Sequence, residues 1–269
     1  MEFIGKNNAR VKSALALKRQ RARNSTYFLL EGFREIHRAL ISGYRCSHVF
    51  CGELIADKEI ALDRELTSLG IEKLYCSKGI LEKLSFKENP ENFIAVFEKK
   101  ELSCQEFLGL QRKNQAPFYL IVEQAEKPGN IGALLRIADG AGVDGVILCD
   151  PVVDLYNPNV IRSSLGTVFT MPVWQASLKE VLDLVHQQEW QVFTTTPSAQ
   201  TFYFDQDFCQ PTVVVFGSEK DGLSPDWLNG SFCNIALPML GKADSLNLSS
   251  SVAAVAYEVV RQRSIRNLL

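Results

Sequence analysis

The run Phe118–Val122 (FYLIV) narrows what this chain can fold into more than any other stretch. Five consecutive apolar residues leave no face for water, so the segment reads as a strand buried on both sides, as in a parallel sheet covered by helices. Val143–Cys149 and Val213–Phe216 repeat the pattern. After the first of these strands comes a loop, Glu123–Asn130, with turn chemistry at Pro128-Gly129. Ile131, Leu134, Leu135 and Ala138 then recur at i, i+3, i+4 and i+7, the stripe of a helix. Further strands are expected over Val168–Val173 and Gln191–Thr195, with helices over Asn157–Leu165 and Leu178–Gln188. Phe202–Phe208, aromatic but acidic, reads as a loop. This alternation predicts an α/β fold with a parallel sheet in the C-terminal half.

The N-terminal part alternates on a smaller scale. Helices are expected at 6–23, Phe33–Ile41, Lys58–Leu69 and Gly79–Leu84, and strands at Tyr27–Leu30, His48–Cys51, Ile71–Cys76 and Phe93–Phe97. From Glu98 the periodicity loosens into a linker with one short helix around Gln105–Gln111. The expected division is a small α/β domain at 1–97, a linker at 98–116 and a larger domain at 117–269.

Composition excludes several classes. Apolar residues make up 46% of the 269 and mean hydropathy is near zero, as in soluble globular proteins. No apolar run is long enough to span a bilayer, and Met1–Lys12 lacks an apolar signal core, so a cytoplasmic location is expected. Seven cysteines without a CxxC pair point to free thiols, with no disulfide framework or zinc site. Three histidines, all distant from polar or glycine-rich clusters, give little support to a histidine triad or metal centre. Net charge is −2, yet residues 1–50 carry ten Lys/Arg against three acids, which leaves −9 for the rest. A basic end on an acidic body suits a polyanionic partner, and an ordinary solvated charged helix is the alternative reading.

Two other segments stand out. Val213–Phe216 runs into Gly217–Ser224 (GSEKDGLS), where two glycines frame a turn beyond a strand's carboxyl end, the usual ligand position in open α/β sheets. Near the C-terminus, LPMLGKADSLNLSSSVAAVAYEVV (237–260) passes from a stiff Leu-Pro through a loop into a helix. Leu248, Val252, Val255 and Val259 form its apolar stripe, and Ser249–Ser251 with Ala253 and Ala254 leave its first turns without bulk. Ser245 and Asn247 fall where an N-cap belongs. Asn130 is placed to cap the helix it precedes, whose free N–H groups suit an anion. Arg136 lies about 140° from the centre of that helix's apolar stripe and so points away from the sheet.

The segments PGNIGALLRIADGAGVDGVIL (128–148), VVVFGSEKDGLS (213–224) and LPMLGKADSLNLSSSVAAVAYE (237–258) resemble, in order, type and spacing, the three signature motifs of the SpoU (TrmH-type) RNA ribose 2′-O-methyltransferases of the SPOUT superfamily. YNPNVIRSSLGTVFTMPV (156–173) is similar to the same family, and FLLEGFREIHRAL (28–40) to the ribosomal-protein-like substrate-binding domain many members carry. Lys220 stands where a glycine is frequent in the second motif. The resemblance implies a C-terminal domain with a trefoil knot, which periodicity cannot show. It implies S-adenosylmethionine as cofactor, held at Gly217, Leu237, Leu246 and the strand end around Thr195. Arg136 matches the family's catalytic arginine. A guanidinium stays protonated, so a phosphate clamp that stabilises a developing alkoxide is the expected role. Asn130 and Glu219 would shape the loops, and Ser245 and Asn247 would orient substrate or arginine. The resemblance further implies a homodimer through the knotted domain. The basic positions Lys12, Lys18, Arg19, Arg21 and Arg23 would then meet RNA phosphates, ribosomal RNA being favoured over transfer RNA. A Rossmann-type methyltransferase would carry an acidic-GxGxG loop, which is absent here. The competing readings are a transfer-RNA ribose methyltransferase, a base-modifying SPOUT enzyme and a non-catalytic RNA-binding protein of the same fold.

Overall fold

The computed structural model describes residues 3–20, 25–53, 56–111 and 116–268. The chain divides into two compact units, one made of residues 1–100 and 154–170, the other of 101–153 and 171–269.

The first unit alternates α1 (Ala9–Gln20), β1 (Tyr27–Glu31), α2 (Phe33–Ile41), β2 (Cys46–Cys51), α3 (Asp57–Ser68), β3 (Glu72–Tyr75), α4 (Lys78–Leu84) and β4 (Phe93–Glu98). Its sheet runs β1-β4-β2-β3, with β4 antiparallel to both its neighbours and β2 parallel to β3. Val11 and Ala14 of α1 pack with Ile80, Leu81 and Leu84 of α4 over Leu29, Phe50 and Ile94 of the sheet. Glu31, a buried carboxylate at the end of β1, accepts from the Ser85 hydroxyl (2.7 Å), Phe86 N–H (3.0 Å) and Glu91 N–H (3.1 Å). Charge buried with this full complement of donors fastens the 85–91 loop to β1.

Residues 154–170 complete this unit from far along the chain. Tyr156 stacks on Phe28 with ring centroids 4.5 Å apart, and Phe169 lies 5.9 Å from the same ring. Arg38 donates to the Leu165 carbonyl at 2.9 Å. The expected strand at Val168–Val173 is not formed. Instead α7 (Pro158–Ser164) ends at Leu165 in the left-handed region, Gly166 follows at φ 86, and α8 (Thr167–Thr170) begins at once. Pro172, which lacks an N–H, precedes the real strand, β7 (Val173–Ala176). The run of apolar residues is compatible with either form, and helical packing on Phe28 decides it.

In the second unit α5 (Cys104–Gly109) precedes β5 (Phe118–Glu123), α6 (Pro128–Gly140) and β6 (Gly145–Cys149). After β7 come α9 (Leu178–Gln187), β8 (Gln191–Thr195), β9 (Thr212–Phe216), β10 (Cys233–Ile235) and α10 (Leu248–Ile265). The sheet order is β10-β8-β9-β5-β6-β7 with every pair parallel. β5 and β9 are buried at every position, as their unbroken apolar runs require. β10, three residues long and partly polar, has no periodic signature, and residue pattern does not disclose it. α6 starts earlier than expected: Lys127 is its N-cap and Pro128 its first residue, so Asn130 lies inside the first turn and is not the cap. Proline's fixed φ suits that first position. α10 packs against α6, and its buried Arg263 donates to the carbonyls of Ala116 (2.6 Å), Phe208 (3.0 Å) and Gln210 (3.0 Å).

All seven cysteines are unpaired. Burial pushes the Cys51 and Cys149 thiols up to about 12, which keeps them protonated and unreactive. Among the described residues no helix is long and apolar enough to cross a membrane.

Replacing Tyr156 with Ala removes the ring stacked on Phe28 and is expected to destabilise the first unit by about 3–5 kcal/mol. Urea unfolding followed by far-UV dichroism measures this, and an unchanged midpoint would refute the structural role of the 154–170 segment.

Candidate active site

The carboxyl ends of three adjacent strands of the second unit converge on one cleft. β8 contributes Thr195 and, past its end, Thr196; the turn after β9 contributes Gly217–Gly222; the segment beyond β10 contributes Leu237, Met239 and Asp244–Leu246. The cavity they enclose is about 300 Å³, at the lower end of the range typical of small-ligand sites.

The Gly217–Gly222 turn is closed on itself. Ser218 N–H donates to the Gly222 carbonyl at 3.0 Å and Gly222 N–H returns to Ser218 at 3.2 Å. A Cβ on Gly217 would fall 2.1 Å from the Gly222 carbonyl carbon, so no side chain fits there. Gly222 sits at φ 71, in the region that favours glycine. The far end of this turn is held by Glu123, buried at the end of β5, which accepts from Ser224 N–H at 2.8 Å. Sequence reasoning misses Glu123; its one signal is a carboxylate closing an otherwise apolar strand.

A polar chain crosses the rim. Asn130 donates its amide to Glu219, and its carbonyl accepts from Asn247 Nδ2 at 3.3 Å. Asn247 caps α10, its side chain accepting from Ser249 N–H at 3.0 Å. Lys127 Nζ stands 3.7 Å from Glu219 Oε1. Thus α6, the turn after β9 and the start of α10 are joined through three side chains.

Among the residues expected from the sequence, Thr195, Gly217, Leu237 and Leu246 all line the cavity, together with Glu219 and Ser245. Asn130 and Asn247 meet at its rim. Arg136 is exposed on α6 and lies outside both the lining and the rim chain. It falls six residues after Asn130, about 120° around the helix. In the first unit Lys12 and Arg19 are exposed on α1, while Arg21 and Arg23 lie outside the described residues. Lys18 turns inward: its ammonium donates to the Lys83 carbonyl at 2.8 Å and to that of Ser85, at the C-terminal end of α4. A cation there complements the helix's negative end, so Lys18 is committed to the fold and not turned out toward phosphate. No group of three or more His, Cys, Asp or Glu among the described residues is placed to hold a metal ion.

The architecture is thus that of an α/β enzyme with its ligand cleft beyond the carboxyl ends of a parallel sheet, built from turns that approach one another through backbone. Residues 117–257 match the SpoU rRNA methylase family, and residues 8–95 match the MRM3-like substrate-binding domain. A 23S rRNA (uridine(2479)-2′-O)-methyltransferase of Streptomyces viridochromogenes is 30% identical, over 97% of this chain and 92% of its own. An uncharacterized tRNA/rRNA methyltransferase of Synechocystis is 32% identical, over 87% and 84%. The crystal structure of the Streptomyces SpoU methyltransferase AviRb with AdoMet superposes with a TM-score of 0.83 at 29% identity, covering 96% of this chain and all (100%) of that one. This chain belongs to the SpoU rRNA methylase family. Its cofactor is S-adenosylmethionine.

The lining suits that cofactor. Leu237, Met239 and Leu246 give it apolar surface, Thr195, Thr196 and Ser218 carry hydroxyls, and Glu219, Asp221 and Asp244 carry negative charge that would complement a cationic ligand. Gly217→Ala is expected to weaken S-adenosylhomocysteine binding roughly a hundredfold, because backbone cannot yield to the new methyl as a side chain would. Isothermal calorimetry reads this, with far-UV dichroism to confirm folding; unaltered affinity would remove the turn from the binding site.

Proposed function

We propose that the chain methylates a ribose 2′-hydroxyl of ribosomal RNA, with the cleft beyond β8, β9 and β10 as the cofactor site. The observation that carries this reading is the polar chain Glu219–Asn130–Asn247 at the rim of a cavity lined by Gly217, Leu237 and Leu246. Supporting it, the Streptomyces relative is a 23S rRNA 2′-O-methyltransferase, and so is a Bacillus subtilis relative, 27% identical over 94% of this chain.

Bound in the cleft, S-adenosylmethionine supplies a methyl already activated by its sulfonium. What remains for the protein is to bring the 2′-oxygen into line and ease its proton loss. Glu219, by accepting from Asn130, fixes the amide's orientation, and Asn130 in turn presents its carbonyl to Asn247. Ser245, beside Asn247 on the exposed loop, contributes a neutral hydroxyl toward the ribose. Arg136 clamps the phosphate next to the target and stabilises the developing alkoxide as a permanent cation.

Arg136 is turned out of its own chain's cluster, and this favours a homodimer in which it serves a site shared with a second copy. The family resemblance supports a trefoil knot in the catalytic domain and dimer contacts through that domain. The reading assigns 1–97 to RNA binding, 98–116 to the linker and 117–269 to catalysis, apart from the 154–170 segment that completes the first unit, in the cytoplasm, as part of ribosomal RNA processing. Exposed Lys12 and Arg19 contribute phosphate contacts.

Arg136→Ala is expected to abolish transfer of labelled methyl groups into ribosomal RNA while S-adenosylhomocysteine affinity stays within about twofold, as for an interaction made only in the transition state. Label entering transfer RNA alone would shift the substrate class. Parallel loss of turnover and cofactor affinity in Arg136→Ala would contradict the role given to Arg136.

A further inference from the structure

We propose that the cleft at the carboxyl ends of β2 and β3 in the first unit is a subsite for an unpaired nucleotide of single-stranded RNA. The proposal rests on RNA being the substrate and names where the small domain grips it. β2 and β3 run parallel and end side by side, Cys51 opposite Tyr75. Ile4 extends that edge: its N–H donates to the Tyr75 carbonyl at 2.8 Å and it bridges to Cys76. This pairing places Phe3, 61% exposed, at the mouth of a cavity of about 800 Å³ shared with Tyr75, Lys78 and Asn92.

One part of the lining is firm. A Cβ on Gly52 would come within 2.8 Å of both Asn92 Oδ1 and a Leu81 methyl, so the glycine backbone lies directly against the amide. Gly52 N–H donates to the Asn92 carbonyl at 2.8 Å, and Asn92 Nδ2 donates to Glu59 at 2.9 Å. The cleft therefore combines an exposed aromatic ring, a fixed amide, the exposed Lys78 at the start of α4 and one exposed carboxylate, Glu53, which a phosphate would have to avoid. Flat rings that stack on aromatic side chains and carry a phosphate beside them are nucleotides, and only unpaired ones offer a free face.

Charge fits the same partner. α1 packs on α4 through Val11, Ala14, Ile80 and Leu84, so exposed Lys12, Arg19 and Lys83 share this helix pair with Lys78. A strand seated with one base in the cleft would run its backbone along these cations. Phe3 is not among the residues packed in the unit's core, and stacking would give its exposed ring a partner.

The test measures binding of fluorescent short oligouridylate and oligoadenylate to the full chain, with duplex RNA as competitor. Phe3→Ala and Lys78→Ala should each weaken single-strand binding roughly tenfold, and Phe3→Trp should retain it. S-adenosylhomocysteine affinity should not change, and in methylation assays KM for RNA should rise with kcat preserved. Both side chains are exposed, so loss of folding does not cloud the result. Unchanged single-strand affinity in Phe3→Ala and Lys78→Ala, or equal competition by duplex, would overturn the subsite and leave the enzyme reading standing. A wild-type chain that binds these strands through Phe3 and Lys78 yet methylates no RNA would instead sustain the subsite and overturn the enzyme reading.

Discussion

Three loops of the catalytic unit, each leaving a different strand, are held in register by one amide. Asn130 gives its N–H to Glu219 and its carbonyl to Asn247, so a single side chain joins the start of α6, the turn after β9 and the cap of α10. The turn after β9 is irregular backbone between two helix starts, and this side chain ties it to both. Hydrogen bonds to a carboxylate are among the stronger neutral-to-charged contacts, and here one of them sets the spacing of two motifs more than eighty residues apart in the chain. The buried Glu123 performs a similar service on the inner side, binding the far end of the same turn. The site is therefore fastened from the rim and from the sheet at once.

The small unit uses the same device with a different purpose. Glu31 at the end of β1 gathers Ser85, Phe86 and Glu91, drawing the loop before β4 against the sheet edge. Its core is completed by residues 154–170, whose Tyr156 and Phe169 stack with Phe28. A segment that lies between two strands of the catalytic sheet in sequence is thus part of the other unit's interior. Contiguous sequence blocks do not express this, because periodicity records which face of a segment is apolar and is silent about the surface that covers it.

Much of the site is legible in the residues alone. Gly217, Leu237 and Leu246 are named by the resemblance of their segments to the family's motifs, and the structure gathers them around one cavity beyond β9 and β10. Asn247 as a cap is legible from its residue type and the helical stripe behind it. Other features are not. Asn130 has the residue type of a cap, yet Pro128 starts the helix two residues earlier and turns Asn130 toward Glu219. Lys18 has the charge of a phosphate contact, yet the end of α4 claims its ammonium. β10 escapes notice because three residues carry too little pattern. For Asn130 and Lys18 the deciding partner lies far away in the chain.

Residue order alone dictates the class of the fold and the succession of its motifs. Runs such as FYLIV and VVVF, bounded by turn residues, favour a doubly covered strand, and the stripes between them favour helices, because both forms bury the apolar side chains. Which polar groups meet is settled only in three dimensions: that Glu219 finds Asn130, that Glu123 finds Ser224, that Phe28 finds Tyr156 and that Arg136 faces out of its own cluster. Hydrogen bonds and stacking act over a few ångströms and depend on orientation, so they form only once the apolar core has fixed where each backbone runs.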